Sequence, residues 1–194
     1  ASEIQIKTLL FRRKEFTMNP KEEIYMDRSK RLPKELAVYD LLDTLGICWT
    51  SVDHEAAMDM ASCAEADRQL GTRMCKNLFL CNRQHSQFYL LMLPGEKVFH
   101  TKDLSKQIGS ARLSFAEPEY MEQYLNIQPG AVSVMGLMND HENHVQLLID
   151  QELMEESWVG CHPCVNTSSL KLSMEDLLQR FLPYIHHDFI VVSL

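Results

Sequence analysis

No stretch of the chain approaches the ~18 to 20 unbroken apolar residues that a bilayer-spanning helix needs, although 45% of its 194 residues are apolar. That content is enough for one sizeable domain with its own core. The first residues lack the basic, then apolar, then small-residue order of a secretory signal, so a cytoplasmic location and no membrane partner are expected. Glycine-rich turns are missing as well. Without a strand–helix–strand unit that carries one, a dinucleotide-binding fold is not expected, and without G-x-S-x-G no strained elbow presents a serine nucleophile. The chain has no internal repeat and no low-complexity tract. Its six cysteines, at 48, 63, 75, 81, 161 and 164, follow no disulfide-framework spacing. A chain of this length needs no covalent staples, and they read as free thiols in a reducing compartment.

Charge is present but unevenly placed. Residues 1–34 hold nine Lys and Arg against five acids, a surplus of four; with −8 for the whole chain, residues 35–194 carry −12. Such a body repels nucleic acid overall, and a polyanionic partner must be met by a local basic patch. The expected organisation is a basic extension over residues 1–33, an RNA-contacting arm or a solvated tail, followed by a domain over 34–194. Met18 and Met26 each offer a start, which would leave part of the extension outside the fold.

Apolar spacing outlines the elements. KELAVYDLLDTLG after Pro33 repeats at helical period and stops at Gly46. ICWTSV (47–52) reads as a strand, and Ala56 to Leu70 as a small-residue helix ended by Gly71. LFLC and QFYLLML form a hairpin around NRQHS. TKDLSKQIG and EPEYMEQYLN are short helices, the second with Pro118 in its first turn. AVSVMGLM and HVQLLID read as strands flanking Asn139-Asp140. Ser173 and Asp176 make a capping-box-like start for MEDLLQRFL, and DFIVVSL closes as a strand. Helices alternating irregularly with hairpins predict an α+β domain with a mixed sheet.

Three segments offer chemistry. Cys161, His162 and Cys164 are soft donors, yet zinc sites normally place two residues between cysteines and a second pair further on. On a strand, Cys161 and His162 diverge, which also separates a thiol from an activating imidazole. Buried cysteine is the simpler reading. His141, His144, His186 and His187 are read as solvated. Lys76, between Arg73 and Asn77 at the mouth of an apolar strand, would by itself be a solvated edge charge.

Its company changes that reading. KNLFL (76–80), RLSFAEPEYMEQYLNIQPGAVSVMGLMND (112–140), VQLLID (145–150) and HPCVNTSSLKLS (162–173), in this order over residues 34–194, resemble the YbaK/ProX family of trans-editing aminoacyl-tRNA deacylases. The likeness is to its free-standing ProX (PrdX-like) branch, whose members hydrolyse alanyl-tRNA(Pro). The resemblance implies a single YbaK-like domain with a mixed, largely antiparallel, distorted barrel-like sheet flanked by helices. It also implies a pocket for the aminoacyl-adenosine end of a mischarged tRNA, with no cofactor and no metal. Lys76, Gly160 and His162 would be catalytic, and Asn77, Ser133, Asn139, Asp140, Pro163 and Asn166 would bind substrate. Arg73 and Arg83 would contact tRNA, with prolyl-tRNA synthetase a further partner. Cys164 replaces a usual aliphatic residue, and Ser168-Ser169-Leu170 a threonine- and alanine-rich stretch, which bears on pocket shape more than on the reaction.

An aminoacyl ester is labile, so a positioned water and a stabilised oxyanion suffice without a covalent nucleophile. Backbone N–H groups around Gly160 to Pro163 would serve the oxyanion, Lys76 would supply a point charge, and the terminal ribose hydroxyl would assist the water. A synthetase pocket for proline admits alanine, because one methylene discriminates by only ~1 to 3 kcal/mol; a second, smaller sieve corrects this. Val132, Val134 and Met135 are candidate walls or plain core. His162 either touches substrate or holds the turn by a hydrogen bond. Three rival readings remain at this level: a deacylase for cysteinyl- or seryl-tRNA, a binding module without turnover, and a metalloenzyme on Cys161, His162 and Cys164.

Overall fold

The computed structural model describes residues 27–56 and 64–194. Arg31–Leu194 form one unit and Ala1–Lys30 another. Of the latter, Asp27–Lys30 are described: a 3-10 turn over Arg28–Lys30, with the Ser29 amide and hydroxyl donating to Asp27. The basic extension up to residue 26, and residues 57–63 of the expected small-residue helix, lie outside the described residues.

In chain order the larger unit holds α1 (Pro33–Thr44), β1 (Trp49–Asp53), α2 (Ala64–Leu70), β2 (Cys75–Asn82), β3 (Phe88–Pro94) and α3 (Thr101–Gln107). Next come β4 (Leu113–Phe115) and α4 (Pro118–Tyr120), which widens into a π turn over Met121–Leu125, then β5 (Val145–Asp150). β6 (Trp158–Cys161), β7 (Ser168–Ser173), α5 (Met174–Asp176), a π turn (Leu177–Phe181), α6 (Leu182–Tyr184) and β8 (Phe189–Val192) complete it. Among the described residues, no helix is long and apolar enough to cross a membrane.

α1 forms where the period predicts. Pro33 occupies the first turn, where its missing N–H costs nothing. Val38, Tyr39 and Leu42 are fully buried. Gly46, at φ +63°, supplies the left-handed stop, and the Ile47 amide returns to Leu42 O at 2.9 Å.

Two sheets share the core. One has the order β1-β7-β6, all antiparallel; the other has the order β4-β2-β3-β5-β8, antiparallel on the β4 side and parallel from β3 to β8. The mixed, largely antiparallel sheet expected from sequence is present. Both sheets are open rather than closed into a barrel, and an isolated bridge, Met74 to Gly160, joins them.

β3 is buried on both faces. Phe88, Leu90 and Met92 join one hydrophobic cluster with Val38, Leu42, Phe79 and Leu147, while Tyr89, Leu91 and Leu93 join a second with Leu80, Leu104, Leu148 and Val192. A strand covered on both sides reads as a continuous apolar run, as QFYLLML does. The hairpin turn before it is clamped by Asn82. Its Oδ1 accepts from the amides of Ser86 (2.9 Å) and Gln87 (3.3 Å), and its Nδ2 donates to Ser86 Oγ (3.0 Å) and Gln87 Oε1 (3.3 Å).

Three expectations are corrected. AVSVMGLM is not a strand: Val134–Asn139 form a 3-10 helix, capped by Ser133 Oγ, which accepts the Met135 amide at 3.2 Å. Gly136 decides this packing, since a Cβ there would lie 2.5 Å from Ile127 Cδ1 and 3.0 Å from Leu125 Cβ. The SSLKLS part of the expected turn is β7, the central strand of its sheet. His187 is not solvated: it is 5% exposed, and its Nε2 lies 3.2 Å from Asp140 Oδ2. The capping box at Ser173 is present, with its Oγ accepting the Asp176 amide at 2.9 Å.

Candidate functional site

β2 has different neighbours on its two edges. One edge pairs with β3 from Cys75↔Pro94 to Cys81↔Phe88. The other meets β4 from Leu80 to Asn82, with Phe79 O accepting the Ala116 amide at 3.0 Å, and meets Gly160 of β6 at Met74. Between these contacts, at Asn77, no strand borders this edge among the described residues. Glycine at 160 makes the lower contact. A Cβ there would lie 2.9 Å from Arg73 O, 3.0 Å from Met74 Sδ and 3.2 Å from Met74 Cα, distances that only its absence permits.

Lys76 and Asn77 leave the strand on opposite faces, as the pleat requires. Lys76 shares its face with Leu78 and Leu80 of the second cluster, and its ammonium donates to Lys97 O at 3.0 Å. Among the described residues no carboxylate pairs with it. Lys97 is neutralised instead: its ammonium lies 2.9 Å from one oxygen of buried Asp150 and 2.7 Å from Glu152. Partial burial works to lower the Lys97 pKa, but the hydrogen bonds of Glu152 and Asp150 win and raise it.

Asn77 shares its face with Cys75 and Phe79 of the first cluster. Its Nδ2 donates to Cys75 O at 3.4 Å and lies 3.2 Å from Cys75 Sγ. Its Oδ1 is buried and, among the described residues, accepts no hydrogen bond. A buried acceptor left unpaired costs ~1 to 3 kcal/mol, so this oxygen is out of balance until something donates to it.

The turn after β6 carries His162. Its Nδ1 donates to Ser168 O at 2.9 Å, which fixes the tautomer and leaves the Nε2 lone pair for other use. Burial holds the imidazole below its ordinary pKa and His54 adds to this, against the Ser168 carbonyl. His54 is the residue that sequence reasoning missed. Its ring centroid lies 6.0 Å from that of His162; its Nδ1 donates to Glu55 O (2.7 Å) and its Nε2 accepts from Ser169 Oγ (2.8 Å). Nothing in the sequence links positions 54 and 169, which meet only because β1 and β7 pair. α1 braces the same strand, since Tyr39 Oη lies 3.1 Å from both Glu35 Oε1 and Ser168 Oγ, and Arg31 bonds both Glu35 and Asp53.

The thiols here are poor nucleophiles. Burial pushes Cys75 and Cys164 up to about 12 and Cys161 well above the ordinary thiol value. The five described cysteines are free, as read from sequence. Cys161, His162 and Cys164 form no convergent ligand set among the described residues.

The remaining expected site residues divide. Ser133 is fully buried and caps its 3-10 helix. Pro163 is buried and Asn166 half-buried in the turn between β6 and β7. Asn139 and Asp140 are engaged with backbone. Asn139 Nδ2 donates to Leu125 O (2.9 Å) and Gly136 O (3.2 Å); Asp140 accepts the amides of Val145 (2.8 Å) and His144 (3.0 Å). Burial works to raise the Asp140 pKa, but His187 and those two amides hold it below the usual carboxylate range. Arg73 is exposed beside Glu96 at 3.7 Å. Arg83 sits at the other end of β2 from Lys76, roughly 23 Å along the strand at ~3.3 Å per residue. The two arginines are therefore not brought together.

Sequence and fold point the same way. Residues 54–180 match the family model described as the aminoacyl-tRNA editing domain. The chain is 34% identical over 141 residues to the prolyl-tRNA editing protein ProX of Acetoanaerobium sticklandii, covering 73% of this chain and 86% of that protein. It is 27% identical over 164 residues to the prolyl-tRNA synthetase associated domain-containing protein 1 of Danio rerio, covering 84% and 87%. Its fold is similar to the crystal structure of a proposed trans-editing enzyme for prolyl tRNA synthetase, with a TM-score of 0.63 at 17% identity, covering 84% of this chain and 97% of that one. With the motif order and the matched span both in hand, the chain belongs to the aminoacyl-tRNA editing domain family.

Proposed function

We propose that the protein is a trans-editing aminoacyl-tRNA deacylase that clears mischarged tRNA(Pro), with alanyl-tRNA(Pro) as substrate and prolyl-tRNA synthetase as the enzyme whose errors it corrects. The observation that carries this reading within the family is the unpartnered Asn77 Oδ1 beside the unbordered edge of β2. An aminoacyl-adenosine end brings donors that suit it, the α-ammonium or a ribose hydroxyl. Lys76, on the opposite face of β2 from Asn77 and with no carboxylate partner among the described residues, would meet the terminal phosphate as a point charge.

The reaction needs no covalent nucleophile. Water adds to the ester carbonyl, a backbone N–H of the Gly160 to Pro163 turn stabilises the oxyanion, and the ribose oxygen leaves with the proton taken from the water. His162 Nε2, with no hydrogen-bond partner among the described residues, would orient that water. Specificity follows from size, because a pocket closed against a ring still admits a methyl group.

The deciding measurement is single-turnover release of amino acid from alanyl-, cysteinyl- and prolyl-tRNA(Pro), with and without Lys76→Ala. Release of alanine alone, dependent on Lys76, is the expected result. Cysteine release would move the protein to a neighbouring specificity. Binding without release from any of the three would overturn the enzyme reading.

A further inference from the structure

Away from that site, at the opposite end of β2, Cys81, His85 and Glu117 each place a ligand atom within 4.8 Å of the other two. They come from three different pieces of chain: the end of β2, the hairpin turn, and the residue that opens α4. His85 Nε2 lies 3.7 Å from Glu117 Oε1. In a tetrahedral zinc site, with Zn–S ~2.3 Å and Zn–N or Zn–O ~2.0 Å, ligand atoms stand about 3.3 to 3.6 Å apart. The His85–Glu117 separation thus needs a contraction of only a few tenths of an ångström, and the sulfur, within 4.8 Å of both, is reached by movement of those two exposed side chains.

Several features hold the trio in place. His85 sits at φ +51°, a left-handed conformation that the Asn82 clamp sustains. Its Nδ1 lies 3.1 Å from Tyr120 Oη, and a proton donated there leaves Nε2 as the ligand nitrogen, the arrangement common around metal-bound histidine. Cys81 is fully buried, and among the described residues its sulfur has only one polar contact, at 3.9 Å to Ser114 Oγ.

We propose that Cys81, His85 and Glu117 bind a divalent zinc-class ion, with water at the fourth position, and that the ion clamps the β2–β3 turn to the start of α4. A sulfur and a nitrogen donor select a borderline-soft metal over magnesium or calcium. Binding releases one proton from the Cys81 thiol to solvent. The thiolate and the Glu117 carboxylate then balance the two positive charges, so the complex is neutral where it meets the core. Because binding displaces the thiol proton, metal uptake is expected to strengthen as pH rises.

The test uses the full chain with Co2+ as a spectroscopic probe and Zn2+ as competitor, in a Cys48→Ser background because Cys48 is exposed. The expected result is a thiolate-to-cobalt charge-transfer band with tetrahedral d–d absorption, bleached by one equivalent of Zn2+, and a rise in Tm with Zn2+. Cys81→Ser should abolish the band. His85→Asn and Glu117→Gln, both at the surface, should weaken cobalt affinity at least tenfold without unfolding the protein. Absence of the band in the parent, or its survival in Cys81→Ser, would overturn the proposal. Unchanged affinity in both surface variants would do the same even if Cys81→Ser fails to fold.

Discussion

The Lys76 ammonium donates to the carbonyl oxygen of Lys97 at 3.0 Å, while the Lys97 ammonium is taken up by Asp150 and Glu152. Two lysines thus meet at one point of the fold with different electrostatic fates. Lys76→Ala is expected to slow single-turnover deacylation by ~100-fold or more and to lower stability by less than about 1 kcal/mol, since it deletes one half-buried hydrogen bond. Lys97→Ala strands Asp150, which is fully buried, and should cost about 3 kcal/mol. Denaturant melts beside single-turnover rates would separate the two effects.

Gly160→Ala tests the close approach of β6 to Met74. Its Cβ would meet backbone, Arg73 O at 2.9 Å, as well as the more pliable Met74 Sδ at 3.0 Å. Overpacking of this kind costs ~1 to 3 kcal/mol. The bridge joins the two sheets, so the loss of Tm should be accompanied by a drop in activity larger than the unfolded fraction explains.

His162 predicts the acid side of the pH–rate profile. Its folded pKa lies below 6.5, so the rate should hold through neutrality and fall only as pH drops through that lower value and Nε2 takes a proton. His54→Gln removes one of the influences that lower it and should move the acid limb up toward 6.5. A limb that stays put in His54→Gln would separate the two rings functionally.

Asp140 predicts an acid-stability term. Its folded pKa is depressed, so its contribution is complete above the ordinary carboxylate value of about 3.9 and is lost as pH falls through the folded value. Below pH 4 the Tm of the parent should fall more steeply than that of Asp140→Asn, although the variant is the less stable at pH 7.

Much of the fold was legible from local signals. Pro33 and Gly46 bracket α1, and Ser173 with Asp176 mark the start of the last helical segment, because these residues act on their own backbone. The failures involve distant partners. Val134 to Leu137 look like a strand until Ile127 and Leu125 claim the space that only Gly136 leaves open. Ser168 to Ser173 look like the tail of a turn until β1 and β6 arrive on either side. The motif residues Lys76, Asn77, Gly160 and His162 could be named in advance. The opposite facing of the first two follows from the local alternation of a strand, but the presence of His54 beside the last depends on pairings more than a hundred residues apart.

The two-sided burial of β3 has a consequence for how its hairpin can go wrong. Sliding β3 by one residue would exchange Phe88, Leu90 and Met92 for Tyr89, Leu91 and Leu93, two sets of nearly equal apolar character. Hydrophobic burial, which elsewhere punishes a slipped strand, has little to say here. The choice of alignment falls to the polar turn and above all to the four hydrogen bonds of Asn82. An error in that turn would therefore yield a well-buried but misthreaded hairpin rather than an unfolded one, with the two cores trading their contents.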